Sequence, residues 1–176
     1  MGDSTITIIA IFLAAILMFV FPLMAMSDRA DDVSQLSVQT ITTEFIDNVR
    51  TTGRLTEANY SKYVEQLDST GNTYEVELSA QILDENPGKK ATQADTTKIG
   101  ENVYYNVYTS QILEELGEHN IKSFKEGDIF SASAKNTNAT ISQQLKNAFY
   151  RVTGNDTYQI SASHSGIVTV NGSNNN

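Results

Sequence analysis

Residues 6–26 read ITIIAIFLAAILMFVFPLMAM, an uncharged apolar run broken only by Thr7 and Pro22. As a helix rising about 1.5 Å per residue, the run covers roughly 30 Å, the hydrocarbon thickness of a bilayer. Nothing later in the sequence approaches it, so the chain reads as a single-span membrane protein with membrane lipid as its first partner. A secretory signal is the competing reading, with an apolar region of about 7–15 residues behind positive charge. Here Met1-Gly2-Asp3-Ser4-Thr5 leads, without Lys or Arg, and Ala25-Met26-Ser27 is only a passable cleavage site. The run is therefore read as a retained anchor.

Working outward from Met26, the helical pattern continues. Val33, Leu36, Val38, Ile41, Phe45, Ile46 and Val49 recur at three- and four-residue steps among Asp, Ser, Gln and Thr. No Gly or Pro falls between Leu23 and Thr52, which predicts one helix from about Ser4 to about Thr51. Its first half is apolar all round and its second half is amphipathic. Pro22 should bend it, because proline lacks the amide donor and crowds the preceding turn. Gly53 supplies the stop.

The rest of the chain reads as an α+β head. Thr56 is a candidate N-cap for a helix from Glu57 to about Asp68 carrying Tyr60, Tyr63, Val64 and Leu67 on one face, ended by Gly71-Asn72. Tyr74, Val76, Leu78, Ala80 and Ile82 alternate with Glu75, Glu77, Ser79 and Gln81, the pattern of a half-buried strand. Asp84 to Gly100 reads as a long hairpin loop, and Asn102 to Tyr108 as an antiparallel partner strand. Thr109 or Ser110 should cap a helix to Glu118 with Ile112, Leu113 and Leu116 inward. A strand from Ile129 to Ala134 follows the Glu126-Gly127-Asp128 turn. Asn138 or Thr140 opens a helix to about Arg151, whose Leu145 and Phe149 are expected on the sheet. Thr157–Ser163 and Ile167–Val170 are expected as strands around a bend at Gly166. The domain boundaries are thus 1–52 for span and stem, 53–170 for the head and 171–176 for a disordered polar tail.

Charge and composition narrow the function. The net charge is −9, from 12 basic and 21 acidic residues, which argues against nucleic acid or anionic lipid as a partner. The chain has no cysteine, so disulfide and thiolate chemistry are absent; in an exported chain this suits a bacterial or archaeal envelope. Arg29 is the one basic residue near the span and gives almost no vote on orientation. The head is expected outside, since a large polar domain beyond a first span is most often exported.

Groups able to carry chemistry are few. His119 and Glu115 are four apart on a helix, but a zinc site needs a third ligand, so a solvated helix end is preferred. Ser163-His164-Ser165 has no nucleophile elbow beside it and reads as a surface strand. Glu126-Gly127-Asp128 and the Asp28, Asp31, Asp32 group lack the ligand spacing of a calcium loop; they read as a turn and a solvated helix face. Lys89-Lys90 is too small a patch to bind by charge. The sequons at Asn59, Asn138, Asn155 and Asn171 follow from an Asn-, Ser- and Thr-rich composition. No residue is assigned a catalytic, cofactor-binding or metal role, no cofactor is expected, and the chain is read as non-enzymatic.

An apolar helix bent by a proline, an amphipathic stem and a small α+β head together resemble type IV pilins and pseudopilins. The closer likeness is to small pilin-like proteins of Tad-type pilus systems in Gram-positive bacteria. The resemblance rests on Thr52-Gly53-Arg54, on Tyr60 to Leu67, and on Tyr74-Glu75-Val76-Glu77-Leu78. It continues in Glu126-Gly127-Asp128-Ile129-Phe130, Lys135-Asn136-Thr137 and Leu145-Lys146-Asn147. It implies a filament or secretion subunit that self-associates, or joins other pilin-like subunits, through its N-terminal helix. The start departs from typical pilins, which carry a glutamate shortly after the processing site: Met1 alone precedes Gly2, no basic residue precedes the run, no glutamate follows there, and only Asp3 is acidic. A minor, accessory or unprocessed subunit is the form that fits. The alternative is a monomeric membrane-anchored binding or sensor module.

Overall fold

The computed structural model describes residues 2–84, 104–150 and 159–172. The long helix is continuous: α1 (Gly2–Ala15), a π-helical stretch (Ile16–Val20) and α2 (Phe21–Thr52) follow without a break. The wide turn lies directly before Pro22. The proline ring cannot donate a hydrogen bond and crowds the carbonyl four residues back, and a π turn admits the extra room this requires. Thr51 and Thr52 return their hydroxyls to the carbonyls of Asp47 and Asn48, at 2.6 and 2.7 Å. Gly53 then ends the helix in the left-handed region, φ +66°, its amide bonded to the Val49 carbonyl.

After it come β1 (Arg54–Thr56), α3 (Glu57–Asp68), β2 (Tyr74–Leu83), β3 (Tyr104–Tyr108), α4 (Thr109–His119), β4 (Ile121–Ser123), β5 (Ile129–Asn136), α5 (Ile141–Tyr150) and β6 (Ser161–Ile167). The main sheet is antiparallel in the order β3-β2-β5-β6, and β1 pairs with β4 in a separate ribbon. The fold is α+β, a long N-terminal helix followed by a small antiparallel head with short helices.

Periodicity explains most of this. Thr56 caps α3 by accepting the Asn59 amide at 3.1 Å, and Tyr63 and Leu67 are buried beneath it. On β2 the predicted inward set packs into the core, while Glu75, Glu77 and Gln81 are exposed. Val38, Phe45, Ile46 and Val49 of the stem are buried on the same core, with Ile41 partly so. Phe45 stacks on Tyr63, ring centres 4.2 Å apart, and meets Phe130 edge-on at 6.0 Å. The Tyr63 hydroxyl lies 3.1 Å from that of Thr42, which satisfies both polar groups inside the core. Burial pushes the Tyr63 hydroxyl pKa up, and the Thr42 contact offsets only part of that.

Several expectations need correction. The Thr157–Ser163 and Ile167–Val170 strands with a bend at Gly166 are replaced, within the described residues, by one strand, β6, which contains Gly166. A Cβ at Gly166 would lie 3.0 Å from Arg50 Cδ and 3.2 Å from Ile46 Cγ2. That glycine serves the close approach of stem to sheet, not a turn. Helix α5 lies against α2 and not on the sheet, so Leu145 does not cover β2; α4 does, through Ile112 and Leu116. Neither Thr109 nor Ser110 caps α4, because Tyr108 holds the cap position and its amide donates to Gln111 Oε1. The β1–β4 ribbon has no counterpart in the sequence reading. Residues 85–103, including the expected loop with Pro87-Gly88-Lys89-Lys90 and the start of its partner strand, lie outside the described residues, as do 151–158 and 173–176. The side chain of Phe149 is likewise outside the description. Asn171 and Gly172, placed in the tail by sequence, are held at the stem–head junction. Asn171 Oδ1 accepts the Glu126 amide and the Gly172 amide donates to the Phe124 carbonyl.

Candidate functional surface

Two surfaces stand out, and both belong to the long helix. The first is its apolar half. Ile6, Phe12, Met18, Phe19 and Met26 are each about two-thirds exposed or more, at 66, 69, 72, 69 and 73%. Among the described residues none of the most apolar stretch is buried, and the helix is long and apolar enough to cross a membrane. That fits a membrane anchor.

The second surface is the seam where α5 meets the start of the stem. The sequence Thr140-Ile141-Ser142-Gln143 forms a reciprocal cap: the Gln143 amide donates to Thr140 Oγ1 at 3.2 Å, and the Thr140 amide to Gln143 Oε1 at 3.0 Å. The Thr140 hydroxyl also donates to Asp31 Oδ2 at 2.7 Å. One turn nearer the span, Asp28 accepts from the Ser142 hydroxyl and pairs with Lys146 Nζ at 2.6 Å. Two stem carboxylates thus face the first turn of α5, where the helix dipole favours negative charge. The Lys146 ammonium, and after it the Ser142 hydroxyl, hold the Asp28 carboxyl below its ordinary range. Thr140, Ser142 and Gln143 are buried, and an open groove of about 350 Å³ runs between the two helices. Further along, Gln35 bridges to β6, donating to the Ser161 carbonyl at 2.6 Å and accepting its amide at 2.9 Å.

This changes the reading of the acidic group. Asp28 and Asp31 remain partly exposed but also serve as the docking points of α5, and Asp32 is exposed. The sequence held one usable signal, the Thr-x-x-Gln cap at 140–143; that its partner would be a carboxylate more than a hundred positions away was not legible.

The other groups weighed for chemistry do not converge. Glu115 pairs with Lys122 and not with His119, which is exposed and 4.0 Å from Glu118. Asp128 is buried, with Oδ1 accepting the Leu83 amide and Oδ2 the Lys125 amide, each at 2.8 Å. Oδ2 thus closes the turn, beside Gly127 at φ +96°, and Oδ1 ties the turn to the end of β2, so both oxygens are used structurally. His164 sits opposite Ala132 on the core side of β6, so Ser163 and Ser165 point away from it. Among the described sequons, the amides of Asn59, Asn138 and Asn171 all enter hydrogen bonds, to Asn48, to Thr73 and Asn72, and to Glu126. Asn155 lies outside the described residues. Among the described residues no group of three or more His, Cys, Asp or Glu side chains could hold a metal ion.

No protein-family model, curated protein or solved structure matches this chain.

Proposed function

We propose that this chain is a non-enzymatic, pilin-like envelope subunit, minor or accessory in its filament or secretion system. Its N-terminal helix inserts in a membrane and assembles with like helices, and its head faces outside the cell. One observation carries the reading: a single helix is bare and apolar around its first half, yet has its second half built into the core of a folded head. A helix of that kind needs a solvent for the bare half, and lipid or a bundle of like helices supplies it. Assembly would exchange lipid contacts for helix contacts, favoured where small residues such as Ala14 and Ala15 let backbones approach.

The test is electron microscopy of the sheared surface fraction, with wild type beside an Ala14→Phe, Ala15→Phe variant. The proposal expects filaments or oligomers from the wild type and none from the variant, with the head folded and exported in both. Assembly that survives the change, or a wild type that never assembles, assigns the chain instead to a monomeric anchored module. The mass of the membrane-fraction protein tests the anchor itself, since a cleaved signal would lack residues 6–26.

A further inference from the structure

We infer that α5 is a membrane-interface element: the seam at Asp28 and Asp31 clamps it beside the stem so that Ile141 seats in the interfacial layer of the bilayer. The inference rests on the anchor reading and adds a second lipid contact, made by the head.

The geometry is one of levels along the helix. The apolar run ends at Met26. Ile141 lies between Thr140, which meets Asp31, and Ser142, which meets Asp28, at the level of stem residues about 3–7 Å past the run's end. The polar layer of a bilayer adds about 5–7 Å on each side of the hydrocarbon, so Ile141 falls within it. Ile141 is 64% exposed at the first position of α5. Among the described residues it stays largely uncovered, while its neighbours Thr140, Ser142 and Gln143 are buried. An isoleucine largely bare to water there gains by transfer to the interface. From Ile141 the helix runs toward the span: Thr140 meets Asp31, whereas Ser142 and Lys146 meet Asp28, nearer the span. Lys146 also neutralises Asp28, an acid that would otherwise stand bare close to the headgroups.

The absence of cysteine makes the experiment direct. Single-cysteine variants of the full chain, Phe12→Cys, Ile141→Cys and Glu77→Cys, carry an environment-sensitive fluorophore in phosphatidylcholine vesicles with or without brominated acyl chains. The inference expects quenching and a blue shift at positions 12 and 141, and neither at 77, which lies on the outer face of the sheet. Quenching at 12 with position 141 as water-accessible as 77 overturns the inference and leaves the anchor standing. Quenching at neither 12 nor 141 removes the anchor and the inference together. In Ile141→Cys, adding Asp28→Asn should reduce quenching at 141 without changing it at 12 in the corresponding pair. Unchanged quenching at 141, with circular dichroism showing a folded head, refutes the clamp.

Discussion

Replacing Thr109 with valine isolates one unusual contact in the sheet. In the β2–β3 ladder Ser79 faces Tyr108 and Ala80 faces Val107, so the next partner of Leu78 would be the backbone of Thr109. That backbone has already turned into α4. Its side chain takes over the ladder: Thr109 Oγ1 accepts the Leu78 amide at 2.8 Å and donates to the Leu78 carbonyl at 2.9 Å. Valine keeps the shape and the β-branch but removes both bonds. At about 1 kcal/mol net per bond, with a further penalty for groups left unsatisfied, the loss should be about 2–3 kcal/mol. The contact is only part-buried, so water recovers some of it and about 2 kcal/mol is the expected figure. Urea unfolding of a soluble fragment starting at Ser27 measures it; that start keeps Asp28 and Asp31, which a cut near Val33 would discard. The midpoint should fall with the slope unchanged, and Thr109→Ser should restore most of the loss. A valine variant within about 0.5 kcal/mol of wild type, the range of ordinary surface changes, would refute the claim that the hydroxyl continues the ladder.

In the same fragment, Leu78→Asp should abolish folding, because Leu78 is 1% exposed. It forfeits about 1.5–3 kcal/mol of burial and adds several more for an unpaired carboxylate; Glu77→Ala should be near neutral, and the reverse order would overturn the strand register. Gly53→Ala should cost about 2–5 kcal/mol by the same assay. The residue sits at φ +66°, and the added Cβ would come within 2.4 Å of the Val170 carbonyl oxygen and 2.5 Å of the Gly172 nitrogen. Docking of α5 should depend on acid. Asp28 has a folded pKa below the ordinary carboxylate value of 3.8, so its contribution is complete above that value and is lost as pH falls through the lowered one. Amide exchange in α5 should rise on acidification in wild type, whereas Asp28→Asn should show raised exchange already at neutral pH and a weaker acid dependence. An identical acid response in both proteins would remove Asp28 from the account.

What was legible in the sequence was whatever repeats at the period of a helix or a strand. The stem stripe, the α3 face and the alternation along β2 each bury one side, and a buried side writes itself into every second, third or fourth residue; the run 6–26 buries no side and was legible from its unbroken apolar length alone. The β1–β4 ribbon was illegible because three-residue strands are too short to show a period. Gly166 was misread for a related reason: a glycine in a Ser-rich strand looks like a turn unless the helix that presses on it is known, and Ile46 and Arg50 lie far away in sequence. The same holds for the seam. Asp28 and Asp31 looked like a solvated face because their partners lie far away in sequence, and Lys146 and Thr140 become their neighbours only once the chain has crossed the sheet and returned.

The polar character of that seam follows from where it lies. Between the bare apolar run and the buried stripe beginning at Val38, the stem must touch the head over the stretch 28–35 while water is at hand. If the helix is anchored as proposed, an apolar contact there would lengthen the hydrophobic run and leave the level at which it exits the membrane loosely fixed, since a longer run is accommodated by tilting. Asp28, Asp31 and Gln35 instead tie the stem to Lys146, Thr140 and Ser161 through directional bonds. Each is worth little alone, because exposed ion pairs and hydrogen bonds contribute about 1 kcal/mol or less. Their effect is positional: in the anchored form proposed above, charged groups here could not follow the span into hydrocarbon, so they would set Met26 as its limit and hold the head at one height above the membrane.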